Sequence, residues 1–254
     1  MIKNEKEGGF ISHLTELRSR LIHSFIFLFV FFILCYFFAE YLYGFLVEPY
    51  AQAVKNDGTE RRLIFTALQE TFLTYLKVAF FASFFVTSPF ILIQVWKFIA
   101  PGLYDHERSA IMPYLAITPI LFFLGGALVY YLIMPLAIKF FISFESSGLI
   151  TNLPIQLEAK VNEYLSLIMK LIFAFGLSFQ LPVVLSLLAR VGVVDSEFLK
   201  KRRKYVVVII FTAAAILTPP DPITQIGLAI PLLILYELSI FSVSLIEKKS
   251  KEDA

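Results

Sequence analysis

The chain has 254 residues, 58% of them apolar and 17% charged, with 28 Phe and a mean hydropathy of +0.78. Soluble domains run about 45–50% apolar and about 25% charged, so a water-soluble globular protein is excluded; several apolar runs reach bilayer-crossing length. The formal charge of +2 excludes little as a sum, because the placement of the charges carries the information.

In chain order, residues 1–20 are polar. Ser12 reads as an N-cap and Glu16 falls in the turn after it, where the helix dipole favours an anion. Leu14, Leu17 and Leu21 recur at helical spacing, so a short amphipathic helix is expected before a first span at about 22–43. The run from Leu21 to Phe38 is too long for a signal-peptide core and has no small-residue cleavage site after it. The sole cysteine, Cys35, reads as a small apolar residue that cannot form an internal disulfide. Residues 47–70 read as a polar loop with Pro49 near its start and Asn56-Asp57-Gly58 as a turn.

A second span at about 71–96 carries Pro89, which predicts a kink. The stretch Gln94–Arg108, QVWKFIAPGLYDHER, then crowds charges and aromatics around a Pro101-Gly102 turn. Simple chain reversal does not require that density, so the stretch reads as a recognition surface. The third span, about 110–135, holds Gly125-Gly126, and a mildly polar loop over 136–162 follows. The fourth span is expected over 163–188, a compact basic loop over 190–205, and the last two spans over 206–217 and 223–246. No internal repeat, linker or soluble domain interrupts this pattern, so the whole chain, 1–254, reads as a single polytopic membrane domain.

Orientation follows from the positive-inside rule. One side collects Lys3, Lys6, Arg18, Arg20, Lys97, Arg108, Arg190, the run Lys200–Lys204, and Lys248, Lys249 and Lys251. The other side has only Lys55, Arg61, Arg62, Lys139 and Lys160. Six spans with both termini in the cytoplasm are therefore expected. The segment Val206–Leu217 makes about 18 Å of helix at about 1.5 Å per residue, short of a hydrocarbon core about 30 Å thick. The turn Pro219-Pro220-Asp221-Pro222 is thereby expected below the far surface, where an ionised carboxylate is costly and usually functional.

Five strings occur in order: HLTELR (His13–Arg18), FIAPGLYDHER (Phe98–Arg108), FGLSFQLP (Phe175–Pro182), KKRRKY (Lys200–Tyr205) and LTPPD (Leu217–Asp221). Together they closely resemble the TatC family, the multispanning receptor subunits of the twin-arginine protein translocase, and the similarity covers essentially the whole chain. The resemblance implies an all-α integral membrane protein in the bacterial inner membrane. It implies six spans, the last two short, in a concave, cup-like bundle. It also implies binding of signal peptides bearing two adjacent arginines, TatB-like and TatA-like single-span partners, assembly into a multi-copy receptor, and transport of folded proteins driven by the proton-motive force.

Residue by residue, the resemblance makes Glu16 and Glu107 the signal-peptide-contacting carboxylates, with Arg18, Phe98 and Leu103 sensitive positions on the same face. Pro49 and Asp221 match positions of later transport steps. At Gln180 the family usually has a glutamate that meets a polar side chain of a partner helix, so an ionisable role is lost there. Lys170, which replaces an expected apolar residue, is expected to snorkel outward.

Two guanidiniums call for carboxylates, because Arg–carboxylate pairs are planar and bidentate where Lys pairs are not. Taken alone, Glu16 also fits a plain i,i+4 pair with Arg20, and Glu107 fits a helix start. No nucleotide loop, metal-ligand cluster or catalytic triad spacing is present in the sequence, so neither cofactor, metal nor enzymatic activity is expected, and no nucleic acid partner. The competing class is a proton-coupled small-solute or ion transporter using Asp221, Lys170 and Glu237 as buried ionisable groups.

Overall fold

The computed structural model describes residues 3–55, 61–99, 108–146, 153, 155–218 and 222–252. These residues are helical almost throughout: α1 (Lys3–Phe37), α2 (Ala39–Lys55), α3 (Glu70–Ile99), α4 (Arg108–Leu128), α5 (Met134–Ile142), α6 (Val161–Ser178), α7 (Leu181–Arg190), α8 (Ser196–Leu217) and α9 (Pro222–Glu252). A π-helical turn, Val129–Ile133, joins α4 to α5 without a break. Among the described residues, five stretches are long and apolar enough to cross a membrane: Thr15–Phe37, Glu70–Trp96, Ala116–Ile142, Val161–Arg190 and Thr224–Lys248.

Several elements differ from expectation. Residue 12 does not mark a helix start, since α1 runs unbroken from Lys3 and merges the amphipathic segment with the span. The first break comes at Phe38, inside the expected first span. The first part of the expected polar loop, residues 47–55, belongs to helix α2, whose Leu46, Tyr50 and Val54 form a buried stripe at i, i+4, i+8, while residues 61–69 are non-helical as expected. That packing outweighs the helix-breaking tendency of Pro49. In the same way, the third helical run continues through the π-turn to Ile142. The basic segment is not a loop: Asp195 accepts the Phe198 N–H and Glu247 accepts the Ser196 N–H, which starts α8 at Ser196. Of the two last helices expected to be short, α9 is long, 31 residues, because it continues into the charged tail. Only the apolar part of α8 is short.

α1 packs on α3, α2 on α3 and α5, α4 on α6, and both α7 and α8 on α9. The central α4–α6 contact is close. A Cβ at Gly125 would lie 2.7 Å from the Phe175 carbonyl oxygen, and one at Gly176 would lie 2.7 Å from the Phe122 ring. Small residues at helix crossings are how membrane helices gain packing where lipid offers no hydrophobic drive. Phe122, Leu165, Ile168, Leu171 and Phe175 fill this centre.

At one end the loops are stitched together. Ile64 pairs with Lys160 and Ser146 with Ile155 as isolated bridges. Glu145 joins Arg61 in an almost buried ion pair and accepts the Leu157 N–H at 2.8 Å. The loop residues Arg61 and Glu145 are far apart in sequence, and neither carries a local signal of this pairing.

Because backbone rather than a movable side chain blocks the Gly125 position, Gly125→Ala is expected to destabilise the fold by about 1–3 kcal/mol, as overpacked substitutions do. Gly44, with nothing near its Cβ direction, should tolerate alanine. Thermal unfolding of the two purified variants in detergent checks the contrast.

Candidate functional site: a carboxylate patch at a helix-packed membrane edge

The inward stripe of α1 consists of Glu16, Arg20, Ser24, Phe27, Phe31 and Cys35, each partly buried, while Phe25, Ile26 and Phe29 face outward. This is the i, i+4, i+7 spacing of one helix face. Phe27 meets Phe90 of α3 with ring centroids 4.5 Å apart. About two and three turns toward the N-terminus, the aromatic contact gives way to a polar one. Arg20 donates from Nε and Nη2 to Glu16 Oε1 at 3.0 and 2.6 Å, and from Nη1 to Gln94 Oε1 at 2.9 Å.

Gln94 begins the stretch singled out in the sequence, and the structure makes its first part, Gln94–Ile99, the last turns of α3. Phe98, one helical turn beyond Gln94, is half-buried and so lies on the same side of α3. Trp96 is buried against Val183, Leu187 and Tyr114, and Arg190 donates to the Tyr114 hydroxyl at 3.1 Å. α3 is thus anchored to α4 and α7 where the recognition stretch leaves it. Arg18 is exposed on α1. Glu107, Leu103 and Asp221 lie outside the described residues.

The simple i,i+4 pairing of Glu16 with Arg20 is therefore present, but it has a third member that sequence reasoning did not include. Gln94 is 74 residues from Arg20. Only the density of functional groups around it marked its neighbourhood.

Pro49 sits inside α2, and its missing N–H frees the Phe45 carbonyl four residues back. The Tyr130 hydroxyl, from the π-turn, donates to that carbonyl at 2.7 Å, and the two rings stack at 4.5 Å. Pro49 and the π-turn are thus one unit. Gln180 lies between α6 and α7, so the fourth span, Val161–Arg190, is made of two helices that meet at a turn at Phe179-Gln180, with Pro182 opening α7. The Gln180 side chain is buried, and its amide donates to the Thr118 and Gly176 carbonyls at 3.1 and 3.3 Å. Among the described residues, nothing donates to its Oε1. The amide therefore acts as a donor to backbone exposed by the break, and it crosses to α4 to do so.

The transporter alternative finds little support in these positions. Lys170 is on an exposed helix face, and Glu237 is half-exposed and paired with Arg203 at 2.6 Å. Among the described residues, no group of His, Cys, Asp and Glu could hold a metal ion.

An all-helical membrane protein with a polar patch joining its first and third helices is the class these features define. The family model for "Sec-independent protein translocase protein (TatC)" matches residues 12–231. The chain is 50% identical to the protein of that name from Magnetococcus marinus, over 98% of this chain and 88% of the relative. It is 45% identical to that of Rickettsia prowazekii over 94% of each, and 38% identical to that of Escherichia coli K12 over 91% and 86%. A crystal structure of the twin-arginine translocase receptor TatC superposes with a TM-score of 0.78 at 38% identity, covering 92% of this chain and 98% of that one. The chain belongs to the TatC family of Sec-independent protein translocase proteins, which are transport components and not enzymes.

Tyr130→Phe is expected to leave the Phe45 carbonyl unsatisfied and cost about 1–3 kcal/mol. In a Pro49→Ala background the restored N–H supplies that bond, so the same substitution should cost much less. A double-mutant cycle on thermal unfolding reads the difference.

Proposed function

We propose that the chain is the receptor subunit of a bacterial inner-membrane twin-arginine translocase, binding Arg-Arg signal peptides on its cytoplasmic face. The observation that carries this reading is the bonding of Glu16 and Gln94 through Arg20. It joins the HLTELR segment to the neck of the aromatic and charged stretch. In this reading Glu16 and Glu107 each receive one guanidinium, while Arg18, Phe98 and Leu103 frame them. TatB-like and TatA-like single-span proteins dock along the membrane-facing helices, with Gln180 at a contact and Pro49 and Asp221 in later steps. The chain forms one membrane domain and assembles in several copies. The proton-motive force then drives folded cargo across.

The same reading gives six crossings with both termini in the cytoplasm and a cup-like shape. α8 supplies the additional crossing by its apolar half, while its basic half stays at the headgroups. The lysine and arginine distribution supports that orientation, and the pairing of Arg203 with Glu237 gives the basic half a partner on α9.

The test is photo-crosslinking of the purified protein to a signal peptide bearing either Arg-Arg or Lys-Lys. A charge-assisted hydrogen bond contributes about 1.5–3 kcal/mol, so the Arg-Arg peptide should bind roughly a hundredfold more tightly. Glu16→Ala combined with Glu107→Ala should abolish the preference. Equal labelling of both peptides by the unmodified protein would refute receptor function.

Gln180→Glu is expected to remain competent for export of a folded reporter. A carboxylic acid can still donate one hydrogen bond to the Thr118 carbonyl in place of the amide. Loss of export in a variant that still reaches the membrane would show that both amide donors are needed.

A further inference from the structure

Arg20 is more constrained than a surface arginine needs to be. An exposed i,i+4 ion pair contributes only about 0.3–0.5 kcal/mol and leaves both side chains free to move. Here the side chains of Arg20 and Glu16 are 25% and 37% exposed, and a second helix holds the guanidinium through Gln94. The division of labour on the carboxylate is uneven. Arg20 uses Oε1 twice, and among the described residues Oε2 accepts no hydrogen bond. An ionised carboxylate offers about four lone-pair sites, so half of this one is committed and half is open.

We propose that Arg20 and Gln94 are positioning residues for arginine recognition: Gln94 fixes Arg20, Arg20 fixes Glu16 by Oε1, and Oε2 is thereby held ready for an incoming guanidinium. This rests on the reading that Glu16 receives a signal-peptide arginine. The incoming group binds the open oxygen and leaves the Arg20 bonds in place. A bidentate or planar contact depends on the angle of the carboxylate as well as its charge. A lysine ammonium is a compact point charge and is far less sensitive to that angle. The Glu16–Arg20–Gln94 arrangement therefore acts on the distinction between arginine and lysine more than on attraction to positive charge.

The opposite arrangement makes a different prediction. If Arg20 were an internal competitor that the peptide displaces, removing it would tighten binding.

The experiment measures binding of labelled Arg-Arg and Lys-Lys signal peptides to the full-length protein in lipid nanodiscs, with melting temperature recorded for each variant. Arg20→Gln and Gln94→Leu are each expected to weaken Arg-Arg binding about tenfold, with little change for Lys-Lys. Gln94→Glu, which keeps an acceptor for Arg20, should restore most of the Arg-Arg preference. In a Glu16→Gln background neither substitution should have a further effect. Unchanged or tighter Arg-Arg binding in Arg20→Gln, with Glu16→Gln still impaired, overturns the positioning role alone. Equal loss for both peptides, or a loss that persists in the Glu16→Gln background, also overturns it, by assigning the effect to general structure. If Glu16→Gln binds both peptides as the unmodified protein does, the receptor reading of Glu16 fails and the positioning role fails with it.

Discussion

In hydrocarbon there is no water to take a carbonyl that has lost its helical partner, and this fold is arranged around that constraint. Its helices are interrupted repeatedly, and three of the interruptions come with nearby donors. The Phe45 carbonyl freed by Pro49 takes the Tyr130 hydroxyl. The Phe85 carbonyl freed by Pro89 takes the Ser88 hydroxyl at 2.7 Å. At the α6–α7 break the Gln180 amide donates to the Gly176 and Thr118 carbonyls. The serine solution is wholly local, and the glutamine bond to Gly176, four residues back, is local as well. The tyrosine and the glutamine reach across to another helix, so each irregularity also becomes a link in the tertiary structure. The positions expected to matter for transport, Pro49 and Gln180, are among these links.

Much of this was legible in the sequence, and the limits have physical causes. The long apolar runs were visible because hydropathy over some twenty residues is a strong signal. Their ends were not, because helices here continue past the apolar window into charged segments, as α1 does from Lys3 and α9 does to Glu252. Pro49 was read as a loop signal, since a proline within a soluble helix is costly. What keeps α2 helical is its buried stripe together with Tyr130, 85 residues beyond the Phe45 carbonyl that it satisfies. Gln180 was noticed as a departure from a family pattern, but its donor role depends on Thr118, which no spacing rule connects to it.

The candidate site divides in the same way. Glu16 and Arg20 were readable as a pair from their spacing. Gln94 lay at the edge of a stretch chosen for its density, with no individual role, because its contact with α1 depends on how α1 and α3 pack. The structure adds the relation between two motifs that the sequence could only place on one side of the membrane.

That relation bears on how α1 is held. Its contact with α3 is largely aromatic, Phe27 on Phe90 and Phe32 against Phe80 at 6.3 Å, and its outer face exposes Phe25, Ile26 and Phe29. Dispersion contacts of this kind are individually weak and have no fixed direction. A guanidinium bonded across to Gln94 has one. Since successive residues are about 100° apart around a helix, even a modest rotation of α1 would swing Glu16 away from the neck of α3. Arg20 thus works as a key that sets the azimuth of the first helix, and the direction in which the Glu16 carboxylate points is decided by a glutamine on the third.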